Sequence, residues 1–136
     1  MKVTFADTFY YLAMLNPGDA AHHQAMQATE ELSGGLLTTE FVLLEVADAL
    51  SLPRERPKFL ELFDYLTSTP EVVIVPTSSE LLRHGVDLYR RRPDKDWPLT
   101  DCISFVVMEQ NAITEALTGD DHFRQAGFRP LLAGAS

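Results

Sequence analysis

Four acidic positions have the residue type and setting for metal-assisted chemistry. Asp7 directly follows the short apolar run from Val3 to Ala6, and Asp101 opens the apolar stretch DCISFVVMEQN. The adjacent pair Asp120 and Asp121 follows EALT. Glu45 interrupts FVLLEVADAL, and no lysine or arginine lies between Glu31 and Pro53 to pair with it. Taken singly, the first three have an ordinary explanation. An acid after a strand caps the next helix, and one in a first helical turn gains about 0.3–1 kcal/mol from the helix dipole. A carboxylate in apolar surroundings has no such explanation: it loses hydration and needs a cation. Several carboxylates gathered at one place repel one another, which raises their pKa values unless a cation offsets the charge. An all-oxygen set suits Mg2+ or Mn2+, with some carboxylates binding directly and others through water. A metal so held can acidify a water and steady charge on a phosphoryl oxygen, so the expected chemistry is metal-assisted phosphodiester hydrolysis.

The elements that position these acids alternate in kind. Val3–Ala6 reads as a first strand and Thr8–Leu15 as a short helix closed by Asn16-Pro17-Gly18. Asp19 can cap AAHHQAMQATEEL, where Ala21, Ala25, Ala28 and Leu32 share a face and Gly34-Gly35 makes the stop. GLLTT is a second strand running into the helix TEFVLLEVADALS, and Phe59, Leu62, Phe63 and Leu66 keep the spacing of an amphipathic helix. EVVIVP, rich in β-branched residues, reads as a buried parallel strand. Thr77 with Glu80 forms a capping box for a helix whose Leu82, Gly85, Val86 and Tyr89 share a face. After the loop RPDKDWPL, Thr100 caps the helix that Asp101 opens; EALT is a fourth strand and PLLA a fifth at the edge. This alternation predicts a three-layer α/β/α sandwich with a mainly parallel four- to five-stranded sheet, as one domain over residues 1–136. In such folds the site lies at the carboxyl ends of the strands.

Composition narrows the classes of partner. One cysteine, Cys102, excludes an internal disulfide and fits a reducing compartment; the N-terminus has no signal-like segment, and no apolar run approaches the ~20 residues that span a bilayer. A cytoplasmic protein is expected. The formal charge of −9 repels phosphate backbones on average, so any action on nucleic acid needs local help. Arg90, Arg91 and Arg92 are the densest basic run, read either as a favourable helix C-terminus or as a phosphate grip. Thr8 and Thr118 neighbour proposed acids, and a hydroxyl can orient a carboxylate. Ser104, one turn beyond Asp101, either faces the same cleft or bonds its own helix backbone. His22 and His23 face different sides of a helix, His122 reads as a surface loop residue, and Cys102 as a small buried hydrophobe. Trp97 anchors its loop by packing.

FADTFYYLAMLNPGD, the glutamate of TEFVLLEVADAL, DKDWPLTDCISF and ALTGDDHFRQAGF occur in the order seen in PIN-domain proteins. The chain resembles in particular the VapC-type toxin ribonucleases of bacterial toxin–antitoxin pairs, over essentially its whole length. The resemblance implies a parallel sheet with helices on both sides, a divalent-metal site and cleavage of single-stranded or structured RNA. It matches Asp7 to the first family acid, Glu45 to the helical acid and Asp101 to the acid before the Cys-Ile-Ser-Phe stretch. Thr118 and Phe123, in a Thr-x-Asp-x-x-Phe pattern, fix Asp120 as the fourth. Where members often carry a basic residue this chain has Asp121, whose charge either weakens RNA approach or strengthens metal retention. The resemblance also implies a small antitoxin that covers the site and, in many members, a homodimer.

Two other classes compete. A phosphoacceptor signalling domain would want an acceptor aspartate after the central strand and a lysine on a later one; EVVIVP ends in proline and no lysine follows Lys95. A non-catalytic PIN-like module that binds RNA or protein would have no need to crowd four acids together.

Overall fold

The computed structural model describes residues 2–134. Its strands are β1 (Thr4–Ala6), β2 (Leu36–Thr39), β3 (Val72–Val75), β4 (Glu115–Leu117) and β5 (Arg129–Pro130). They form one sheet in the order β3-β2-β1-β4-β5, with every pairing parallel. Helices α1 (Thr8–Leu15), α2 (His22–Glu30), α3 (Glu40–Ala49), α4 (Arg56–Ser68), α5 (Ser79–Arg91), α6 (Leu99–Gln110) and α7 (Asp121–Gln125) flank it in an α/β/α arrangement. No helix among the described residues is long and apolar enough to cross a membrane.

The strand order decides where a site can form. β1 is central, and the chain leaves it toward β2 on one side and reaches β4 on the other, so the direction of winding reverses between β1 and β4. Phe5, Ala6, Ala116 and Leu117 are fully buried there. Ala6 pairs with Leu117 at the carboxyl ends, so the next residues, Asp7 and Thr118, emerge side by side at the reversal point.

Local structure departs from the sequence pattern in several places. The β-branched EVVIVP strand is at the edge rather than buried: β3 has β2 as its one neighbour, and Val73 is 54% exposed. α5 buries Leu81 and Gly85 and leaves Leu82 and Tyr89 exposed, because α6 crosses where Gly85 offers no side chain. A Cβ at Gly85 would lie 2.4 Å from Ile103 Cγ1. Ser78, not Thr77, caps α5 by accepting from the Leu81 amide, while the Thr77 amide donates to Glu40. α6 begins one residue before Thr100, with the extended Pro98 as its N-cap position, which puts Asp101 inside the first turn. α2 stops at Glu30, ahead of the two glycines. The β5 ladder falls on Arg129–Pro130, and the Leu131 and Leu132 amides carry it on to the Ala116 and Thr118 carbonyls.

Candidate metal centre

Asp7 occupies the N-cap position of α1 but makes no capping hydrogen bond with its side chain. It is 3% exposed; Oδ2 accepts from the Thr118 hydroxyl at 2.9 Å, and Oδ1 is buried with no partner. The same hydroxyl accepts from the Asp120 amide at 3.0 Å, so Thr118 ties the end of β1 to the turn after β4. Asp120 caps α7 through Oδ1, which accepts from the His122 amide at 2.9 Å. Asp101 is buried in the first turn of α6, its Oδ2 at 3.0 Å from His122 Nδ1. That nitrogen is also 3.1 Å from Asp120 Oδ1. Glu45, half-buried on α3, accepts from the Thr8 hydroxyl at 2.5 Å, which joins α3 to the start of α1.

Titration follows from this crowding. Burial pushes the Asp7 carboxyl up to about 7, helped by the neighbouring charges of Asp101 and Asp120 and opposed by the Thr118 bond. Burial likewise lifts Asp101 to about 6; His122 opposes the rise, and Asp120 and Glu45 add to it. Burial pulls the His122 imidazole down, but its bond to Asp101 and the charges of Asp120, Asp101 and Asp96 outweigh it and leave the ring above its ordinary pKa. The four acids therefore share one electrostatic neighbourhood.

The remaining predicted residues are placed as follows. Glu45 is half-buried rather than enclosed, and its carboxylate faces the Thr8 hydroxyl. Ser104 is buried and its hydroxyl bonds neither its own helix nor another group. Asp121 points outward and is held by Arg124, at 2.6 and 2.9 Å, and by Gln125 at 3.1 Å. Those bonds pull its carboxyl below the ordinary range, and its charge is balanced on the surface rather than spent in the cleft. Arg90 pairs with Asp87, and Arg92 pairs with Asp94 while lying 5.0 Å from the centre of the Trp97 ring. Trp97 is buried edge-on against Phe105 and donates to Gln125 of α7, tying the 92–98 loop to the site. Cys102 is buried, which raises its thiol pKa.

The sequence reading missed His122. It is no surface loop histidine: it lies in the first turn of α7 and turns its ring onto Asp101 and Asp120. The available signal was its spacing, two residues after an acid expected at the end of a strand.

The donors present fit a divalent cation. Asp7 Oδ1 is a buried carboxylate oxygen without a partner, and one atom each from Asp101, Asp120 and His122 lie within 4.8 Å of one another. Beyond burial, the charge of Asp101 adds to the rise of Asp7, and those of Asp120 and Glu45 add to the rise of Asp101, a repulsion that a cation would relieve.

Residues 5–129 match the family model described as the PIN domain, and the chain belongs to that family. No curated protein matches it by sequence. Among solved structures, VapC20 of Mycobacterium tuberculosis, described as a sarcin–ricin loop cleaving toxin, superposes with a TM-score of 0.85 at 23% identity. That likeness covers 93% of this chain and 96% of the other. VapBC2 from Rickettsia felis, solved on a DNA fragment from its promoter, gives 0.66 at 12% identity over 93% and 96%. FitAcB from Neisseria gonorrhoeae gives 0.66 at 16% identity over 92% of each chain. At these identities the likeness is one of fold.

Proposed function

We propose that the chain is a divalent-metal-dependent endoribonuclease, working in the cytoplasm as the toxin of a toxin–antitoxin pair. The observation that carries the reading is the buried, partnerless Asp7 Oδ1 beside Asp101 and Asp120 at the point where the sheet reverses its winding. Asp7, Asp101 and Asp120 would hold Mg2+ or Mn2+, with Glu45 completing the acidic rim. Such an ion supplies a Lewis acid that acidifies water and offsets charge on a phosphoryl oxygen. The chain's own groups do the positioning. Thr118 fixes the Asp7 carboxylate against the Asp120 turn, and Thr8 fixes Glu45. Ser104 keeps a free hydroxyl one turn beyond Asp101. Arg90 and Arg92 line a groove with Tyr89 and Lys95, where a phosphate would draw the arginines from Asp87 and Asp94 and a base would meet the exposed Tyr89 ring.

Two features support an antitoxin partner. Leu43, Leu44, Ala47, Phe59 and Phe63 line an apolar groove between α3 and α4, the kind of surface that takes an amphipathic helix. The charge of −9 favours a basic partner segment. Because VapC20 is described as cutting the sarcin–ricin loop, an RNA of that hairpin is a first substrate to try.

The test is cleavage of that hairpin and of tRNA by purified protein with Mg2+ or Mn2+. Chelation and Asp120→Asn should abolish cutting, whereas Asp121→Asn should preserve it. If every RNA survives with either metal, the chain is a non-catalytic PIN-like binding module instead. Equal loss from both substitutions would mean the pair is wrongly divided.

A further inference from the structure

We propose that His122 is itself a ligand of this centre, making it a mixed carboxylate–imidazole site that favours a first-row transition metal over Mg2+. The inference rests on the metal-centre reading and deepens it.

Geometry is the first argument. His122 Nδ1 lies 3.0 Å from Asp101 Oδ2 and 3.1 Å from Asp120 Oδ1. Adjacent ligands at right angles around an octahedral ion, with bonds of about 2.1 Å, stand about 3 Å apart. The imidazole nitrogen thus sits where the third ligand of a shared ion belongs. Its bonding capacity is the second argument. As an N–H donor Nδ1 serves Asp101 Oδ2, while Asp120 Oδ1 takes its hydrogen bond from the His122 amide and is only a charge neighbour of the ring. As a lone pair, Nδ1 can bind a cation that both carboxylates also bind. A cation between the three atoms answers all of them.

The ring is also held in place. The His122 amide is fixed by Asp120 Oδ1, and the next residue, Phe123, is fully buried with its ring 4.9 Å from that of Phe105. Gln125, one turn on, is bonded to Trp97. Asp7 Oδ1, buried and without a partner beside these groups, independently calls for a ligand.

Donor chemistry then sets the preference. Mg2+ takes oxygen donors almost exclusively, whereas imidazole nitrogen raises affinity for first-row transition ions. Mn2+ is the useful probe because it tolerates both donor types and is paramagnetic.

The experiment titrates metal-free protein with MnCl2 and, separately, with MgCl2, and records pulsed EPR of the Mn2+ complex. Wild type should bind Mn2+ roughly tenfold or more tightly than Mg2+. It should also show a directly coordinated 14N coupling that changes when the histidines are 15N-labelled. His122→Asn should lose that coupling and weaken Mn2+ binding about tenfold, with Mg2+ affinity changed less than about threefold. The wild-type spectrum needs no variant, so a folding defect in His122→Asn cannot mask the answer. Mn2+ binding that Asp101→Asn abolishes but that shows no nitrogen coupling would overturn the role of His122 and leave the metal centre standing. An absence of Mn2+ and Mg2+ binding altogether would overturn both.

Discussion

Replacing Asp7 by asparagine should make the metal-free protein more stable at alkaline pH, although it removes a residue of the site. The Asp7 carboxyl titrates near about 7 in the folded chain against an ordinary 3.8, first because of burial and then because of Asp101. Between those two values the folded state keeps a proton that the unfolded state has released, so stability falls as pH rises. The full penalty stands above about pH 7. At about 1.4 kcal/mol per pH unit the gap is worth about 4 kcal/mol at pH 8, and about 1.5 kcal/mol of it is already present at pH 5. Asparagine abolishes this penalty and still accepts from Thr118, but it places an amide NH2 where Oδ1 has no partner, at a cost of about 1–3 kcal/mol. That cost is the same at both pH values and cancels in the comparison. The change in stability caused by Asp7→Asn should therefore move by about 2–3 kcal/mol in the stabilising direction between pH 5 and pH 8. Urea unfolding of chelator-treated protein at the two pH values measures it. Excess Mn2+ should reverse the order, stabilising wild type by mass action and leaving the variant unchanged. If Asp7→Asn costs the same stability at pH 5 and pH 8, the carboxylate is not the desolvated group described above.

Two further substitutions probe the supports of the site. Thr118→Val keeps the shape but removes both the donor to Asp7 and the acceptor for the Asp120 amide. It should cost about 1–3 kcal/mol in urea unfolding, and an unchanged midpoint would show that the hydroxyl ties nothing together. Gly85→Ala gains about 1 kcal/mol in helix propensity but drives a methyl against Ile103, and overpacking of about 1–3 kcal/mol should win. A higher melting temperature for this variant would mean that α5 and α6 separate freely.

Local punctuation made much of this arrangement legible in the sequence. The change from apolar run to acid at Asp7 marks the β1–α1 boundary, and Thr-x-Asp after an apolar stretch marks the end of β4. What stayed hidden depends on contacts between distant segments. A β-branched run looks alike in a central or an edge strand, so β3's place follows only from the strand order, in which β2 is its one neighbour. The face of α5 shifted by one residue because Gly85, silent on a hydrophobicity scale, lets α6 approach. His122 escaped because nothing near it in the chain announces Asp101, 21 residues earlier. Glu45 drew notice for its apolar helical neighbours, whereas the partner that holds it, Thr8, lies 37 positions earlier.

The bond between Thr118 and Asp7 spans 111 positions, and β1, at the centre of the sheet, is made long before its neighbour β4. On the ribosome, Asp7 emerges well before Thr118, Asp120 and His122, and it stays without its hydroxyl tether until that later segment is out. A nascent chain interrupted anywhere before Thr118 holds only part of the centre. Chain order alone thus delays the completed cluster of Asp7, Asp101, Asp120 and His122 until the segment after β4 has been made.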